Sequence, residues 1–201
     1  MKTMSTPIKA KKEFNIIIVG TGGQGLITLL RILAEAVVFE KYDVKTSELH
    51  GLSQRGGSVE VHIRFGEKIF SPLVGQGRAD LILGLEAQEC LKACYFSNKN
   101  TIFLVNDFFI PILGQKTLSI KKISDELEKF SKKITIIPAV DICEKELSNK
   151  VVAGIYLLSY AVHKNLIPLK PESLLKAIEK SVSKKYLELN KKAFELAKKY
   201  D

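Results

Sequence analysis

Arginine is scarce in this sequence, standing only at Arg31, Arg55, Arg64 and Arg78, although the formal net charge is +9. Surfaces that clamp phosphates or read bases favour arginine for its planar fork, so a lysine excess spread over helical stretches argues against a nucleic-acid partner. No apolar run approaches the roughly 18 residues needed to cross a bilayer, and no membrane partner is expected. The opening MKTMSTPIKAKKE is basic but lacks the apolar middle of a secretion signal, so residues 1–13 are expected to form a flexible basic tail. Cysteine is limited to Cys90, Cys94 and Cys143, without the CxxC spacing of zinc sites or the cysteine run of iron–sulfur clusters. The expectation is reduced, partly buried thiols in a cytoplasmic protein, with no metal held by this chain. Cys90 and Cys94 lie one helical turn apart, which keeps a redox or metal pair open as the alternative. No GxSxG elbow is present, so a hydrolase has little support.

What the sequence does contain is the material of one domain, spanning 14–201. Its 201 residues are 46% apolar and 26% charged, and a chain of this size buries roughly 70% of its unfolded surface. Phe14–Val19 (FNIIIV) reads as a buried strand, stopped by glycines and followed by apolar residues at helical spacing from Leu26 to Glu40. An extended stretch around Tyr42 to Thr46 comes next. Between Val59 and Phe65 the pattern alternates strictly, which predicts an antiparallel strand with one wetter face; a turn at Gly66, Glu67 and Lys68 into Ile69 and Phe70 predicts a β-hairpin. Asp80–Leu85, Thr101–Val105 and Ile134–Ile137 are further strand candidates. Helices are expected over Glu86–Phe96, Asn149–His163, Pro171 to about Val182, and Lys184–Lys199. Strands alternating with helices predict a three-layer α/β/α fold with a mixed, mostly parallel sheet, a β-hairpin excursion and a Rossmann-like first unit.

Two glycine-rich stretches are the candidate site. In GTGGQG, residues Gly20, Gly22 and Gly25 match GxGxxG between a strand and a helix, where backbone N–H groups and the positive helix end favour an anion; Gly23 and Gln24 lie within it. The acidic residue that a nicotinamide site places about twenty positions on is not cleanly present, with Asp43 and Glu48 the nearest. The second stretch packs His50, Ser53, Gln54, Arg55, Gly56 and Gly57 together. Its glycines let another molecule approach the main chain, and Arg55 can grip a carboxylate or phosphate through two parallel bonds. The competing reading is a tight loop whose polar groups satisfy one another. His50 is either a general acid or base or, preferred here, a residue that orients the loop. His62, on the wetter strand face, is expected at a surface or interface, and His163 near a helix end as a cap. Asn106 and Asp107 follow a buried strand at the edge where open α/β sheets bind ligands, although a plain turn is the preferred reading.

GTGGQG, ELHGLSQRGGSVEVHIR (Glu48–Arg64), GRADLILGLEAQE (Gly77–Glu89), Asn149 and NKKAF (Asn190–Phe194) together resemble the gamma-type domain of 2-oxoacid:ferredoxin oxidoreductases over about Phe14 to Phe194. The HGLSQRGG form resembles in particular the beta subunits of the indolepyruvate enzymes. The resemblance implies a reaction of amino-acid catabolism: an arylpyruvate and coenzyme A are oxidatively decarboxylated to an acyl-CoA and carbon dioxide, and ferredoxin takes the electrons. It also implies that thiamine diphosphate, magnesium and [4Fe-4S] clusters reside on a larger alpha subunit. This chain then binds no cofactor by itself, is inactive alone, and meets ferredoxin only through the complex. In agreement, it contains no GDG-to-NN segment of the kind thiamine enzymes carry. Under this resemblance His50 and Arg55 support the site, while Gly20, Gly22, Gly23, Gln24, Gly25, Ser53, Gln54, Arg55, Gly56 and Gly57 contact coenzyme A or the partner. Two other readings stand beside it: a standalone Rossmann-like NAD- or nucleotide-binding protein, and a purely structural assembly subunit.

Overall fold

Successive isoleucines explain why the first strand lies in the middle of the molecule. In β1 (Glu13–Thr21), Ile16 and Ile18 enter one apolar core while Ile17 and Val19 enter another, so both faces of the strand must be covered. The computed structural model describes residues 13–51, 56–111 and 117–200. Around β1 it builds a six-stranded sheet in the order β2-β3-β1-β4-β5-β6, with β2 (Asp43–His50), β3 (Ser58–Gly66), β4 (Leu81–Gly84), β5 (Ile102–Asn106) and β6 (Ile134–Ile137). Strands β1, β4, β5 and β6 are parallel neighbours, while β3 runs antiparallel to both β1 and β2.

Two helical layers close the sheet. The larger core packs α1 (Leu26–Phe39), α4 (Ala139–Leu147), α5 (Ala153–His163), α6 (Pro171–Ser181) and α7 (Lys184–Lys198) on one face. The smaller packs α2 (Glu89–Ala93) and α3 (Ile120–Leu127) on the other. This is the expected three-layer α/β/α fold with a mixed sheet. The first unit keeps strand, glycine turn and helix, but β3 occupies the place beside β1 where a simple dinucleotide fold sets a second parallel strand.

Several local expectations change. The antiparallel pair is β2 with β3, from Asp43↔Gly66 to His50↔Val59, and Ile69 and Phe70 form no strand. The reason is at Asp43, whose Oδ2 accepts the Ile69 N–H at 2.8 Å and so takes the donor a hairpin ladder would need. That bond also holds the Asp43 carboxyl below its usual range. His62 is buried rather than at a surface, because the following segment folds back over it. Val74 N donates to His62 Nδ1 at 3.0 Å, which places the ring proton on Nε2, where it donates to Glu60 Oε1 at 2.9 Å. The helix expected over Glu86–Phe96 shortens to α2 followed by a 3-10 turn at Cys94–Phe96, and that expected from Asn149 becomes a 3-10 turn, Lys150–Val152, leading into α5. Helices α3 and α4 were not anticipated from the sequence.

Candidate functional site at the carboxyl rim of the sheet

The register of β1 on β3 sets Gly20 opposite Val59 and Thr21 opposite Ser58, so the chain leaving β1 meets the chain entering β3. The two glycine-rich stretches consequently touch: Gly22 N donates to Gly57 O at 2.9 Å. A Cβ on Gly22 would lie 3.5 Å from Gly56 N. Gly25, the N-cap of α1, is held at φ 80°, a conformation that favours glycine. Ser53, Gln54 and Arg55 lie outside the described residues. His50 ends β2, half exposed, with its Nε2 3.9 Å from Glu48 Oε1. It thus has an acidic neighbour on the same strand face that spacing alone did not single out.

Gln24 clips the rim together. Its Oε1 accepts from Thr21 N at 2.7 Å and Thr21 Oγ1 at 3.2 Å, while its Nε2 donates to Leu85 O at 3.1 Å. The same carbonyl accepts from Asn106 Nδ2 at 3.0 Å, and Asn106 Oδ1 accepts from Ala139 N at 3.0 Å. One chain of bonds therefore ties the ends of β1, β4 and β5 to the start of α4. Asn106 is a buried structural clip, 1% exposed, rather than a simple turn residue. Beside it the Asp107 carboxyl is pushed up by burial and by the Asp141 charge. A cleft of about 300 Å³ opens here between Gly22–Gln24 and the 3-10 turn at Lys150 and Val151, floored by Leu85 and Asn106.

Two carboxylates that sequence reading did not single out anchor the second glycine stretch. Glu89 is buried at the start of α2 and accepts Ser58 Oγ, the first residue after Gly57, while its other oxygen receives Lys92 Nζ at 2.6 Å. Glu86, also buried, accepts Glu89 N at 2.8 Å and Ile110 N at 3.3 Å, and its burial pushes the carboxyl above the usual range. Acidic side chains inside the otherwise apolar LILGLEAQE run were the available signal.

The three cysteines do not converge. Cys90 and Cys94 lie in the smaller core and Cys143 in the larger, on opposite faces of the sheet. Burial raises all three thiols, Cys94 to about 11 and Cys143 to about 12. Among the described residues no group of three or more His, Cys, Asp or Glu side chains is placed to hold a metal ion. No helix among the described residues is long and apolar enough to cross a membrane.

A family model described as pyruvate ferredoxin/flavodoxin oxidoreductase matches residues 15–200. The chain belongs to that family. Among curated members it is similar to indolepyruvate oxidoreductase subunit IorB of Archaeoglobus fulgidus, with 36% identity over 193 residues covering 92% of this chain and 93% of the relative. The same subunit of Thermococcus kodakarensis is 34% identical over 194 residues, covering 94% and 96%. The oxidoreductase-family fold is seen in the gamma subunit of a keto/oxoacid ferredoxin oxidoreductase from Geobacter sulfurreducens, with a TM-score of 0.67 at 23% identity over 92% of this chain and 96% of that one. In a 2-oxoglutarate:ferredoxin oxidoreductase from Magnetococcus marinus the TM-score is 0.71 at 17% identity; 95% of this chain covers only 32% of that one, so there the same fold is one portion of a longer chain.

Proposed function

We propose that this chain is the companion subunit of a 2-oxoacid:ferredoxin oxidoreductase acting on indolepyruvate or a related arylpyruvate. The 2-oxoacid loses carbon dioxide, its acyl carbon passes to the coenzyme A sulfur, and the released electrons go to ferredoxin. Thiamine diphosphate, magnesium and [4Fe-4S] clusters are assigned to a larger alpha subunit, since the thiols here are split between two cores and do not suit a cluster. When bound there, the thiamine ring supplies carbanion stabilisation and the clusters carry the electrons. The enzyme works in the cytoplasm, and this chain alone is inactive.

The observation that carries the reading is the Gly22–Gly57 hydrogen bond, which joins both glycine stretches into one surface at the carboxyl rim. Support for the substrate class comes from the names of the relatives at 36% and 34% identity. Gln24 and Glu89 fix the backbone of that surface, and the role assigned to Ser53, Gln54 and Arg55 is to receive an anionic group, either a coenzyme A phosphate or a carboxylate of the partner. His50 orients the loop base. Substituting Arg55→Ala in the complex is expected to raise the apparent KM for coenzyme A or to weaken assembly by about tenfold, as removal of a charge-assisted pair does. Steady-state kinetics with unchanged KM, together with an intact complex on gel filtration, contradicts the proposal.

A further inference from the structure

The two edges of the sheet are built unequally. At one edge β6 is only four residues long and runs straight into Pro138. At the other, β2 continues for eight residues without a proline, and its pairing with β3 from Asp43↔Gly66 to His50↔Val59 skips no residue, so no bulge blunts it. Among the described residues no strand pairs along its outer side.

Hydrogen bonding at the end of the β2–β3 ladder fixes which main-chain groups that edge presents. Gly51 N donates to Ser58 O at 3.0 Å, so these two residues form a hydrogen-bonded pair, and such pairs recur at every second residue of an antiparallel ladder. The odd-numbered residues of β2 therefore turn their main-chain groups toward β3. The bond from Gly22 N to Gly57 O gives the same phase from the other side, because it turns the odd-numbered residues of β3 toward β1 and leaves the even-numbered ones for β2. The N–H and C=O groups of Val44, Thr46, Glu48 and His50 are left pointing outward in a row. Beside that row, on the α1 face, runs a groove of about 350 Å³ lined by Ile27, Leu30, Arg31, Thr46, Ser47 and Glu48. Arg31 has no hydrogen bond or ion pair among the described residues. On the opposite face Leu49 is half exposed.

These features fit a second copy of the same strand. Laid antiparallel about a two-fold axis at Ser47, β2 opposes itself with Thr46 against Glu48 and Val44 against His50, so every outward group from Val44 to His50 meets a partner. On the other face each Leu49 falls opposite the aliphatic stem of Lys45, which covers it. No like charges stand directly opposite in this register. Glu48 of the second copy lies against Thr46, in the groove that Arg31 lines, and the unpaired cation of each copy thereby gains a carboxylate from the other. We propose that β2 is a self-association edge through which two copies of this chain join into one continuous sheet. Because the joined strands are antiparallel, the two carboxyl rims point in opposite directions and both stay open. The inference concerns this chain alone and does not rest on the oxidoreductase reading.

Sedimentation equilibrium of the full chain tests it. A dimer with a dissociation constant below about 10 µM is expected. Thr46→Pro removes an outward donor and puts the ring in its place, a change that an edge strand accepts where the donor faces solvent. It is expected to weaken the dimer at least about a hundredfold while the melting temperature of the chain stays close to that of the wild type. Arg31→Glu is expected to weaken it about tenfold, and adding Glu48→Arg to restore it. In residue-resolved hydrogen exchange the amides of Val44, Thr46 and Glu48 slow as chain concentration rises, whereas those of Lys45, Ser47 and Leu49 are protected throughout. A wild-type chain that is monomeric at about 100 µM, an unchanged dissociation constant in Thr46→Pro or in Arg31→Glu, or amides at 44, 46 and 48 that slow only when another protein is added overturns the proposal.

Discussion

The two rims of the sheet are built to opposite ends. At the amino rim, Arg64 alone makes four bonds: to Asn15 Oδ1 at 2.8 Å, Glu13 Oε2 at 2.9 Å, Ser71 O at 3.0 Å and Leu73 O at 3.3 Å. The Asn15 side chain in turn donates to Arg78 O and its backbone N–H donates to Asp80 Oδ2, and Asn98 and Thr101 donate to Gly77 O and Ala79 O. The polar groups there bond one another around a polar cleft of about 410 Å³ lined by Glu13, Asn15, Arg78 and Asp80. At the carboxyl rim, Gln24, Asn106 and Glu89 hold the backbone in place, but a cleft and a glycine surface are left facing outward. Rigid support beneath, with unsatisfied capacity above, is the arrangement a binding surface needs. The proposed function accordingly assigns stability to the amino rim and recognition to the carboxyl rim.

The sharpest way to break that contrast is at Arg64. Replacing it with methionine keeps the stem but removes all four bonds and leaves Glu13 and Asn15 without their partner. A loss of about 3 kcal/mol is expected, seen in urea denaturation, with partner assembly unchanged at temperatures where the fold persists. An assembly defect in a folded Arg64→Met chain argues against dividing the rims. Gly20→Ala probes the other rim with a smaller effect. The added Cβ would sit 2.6 Å from Gln24 Oε1 and 3.2 Å from the Leu85 Cβ, forcing Gln24 out of its clip. About 2 kcal/mol of stability is expected to go, and here partner affinity should fall with it; retention of full affinity separates the clip from the surface it supports.

The contrast also explains what could be seen in the sequence. Strands β1, β3, β4, β5 and β6 were legible because apolar runs and strict alternation report burial directly, and GTGGQG announced the turn between β1 and α1. Helix α4 was not legible, although Pro138 stands at its N-cap, because its fully buried positions, Ala139 and Cys143, are small. Helix α3 was hidden in a lysine- and acid-rich stretch whose signal was Ser119 ahead of Ile120, Ile123 and Leu127. The false hairpin at Ile69 failed because a side chain, Asp43, won a backbone donor. His62 looked solvent-facing by alternation, yet long-range return of Val74 buried it, a contact that periodicity does not encode. At the candidate site the residue types were readable, but the bond between Gly22 and Gly57 and the engagement of both ends of the Gln24 amide required the register of β1 on β3.

Hydrogen exchange of this chain, free and in complex with the large subunit proposed as its partner, tests the division of the rims most directly. New protection is predicted for backbone amides at 20–28, 50–58 and 149–154, with residues 13–15, 77–80 and 98–101 unchanged. Protection confined to the amino-rim segments, with the glycine stretches exchanging as fast as in the free chain, contradicts it.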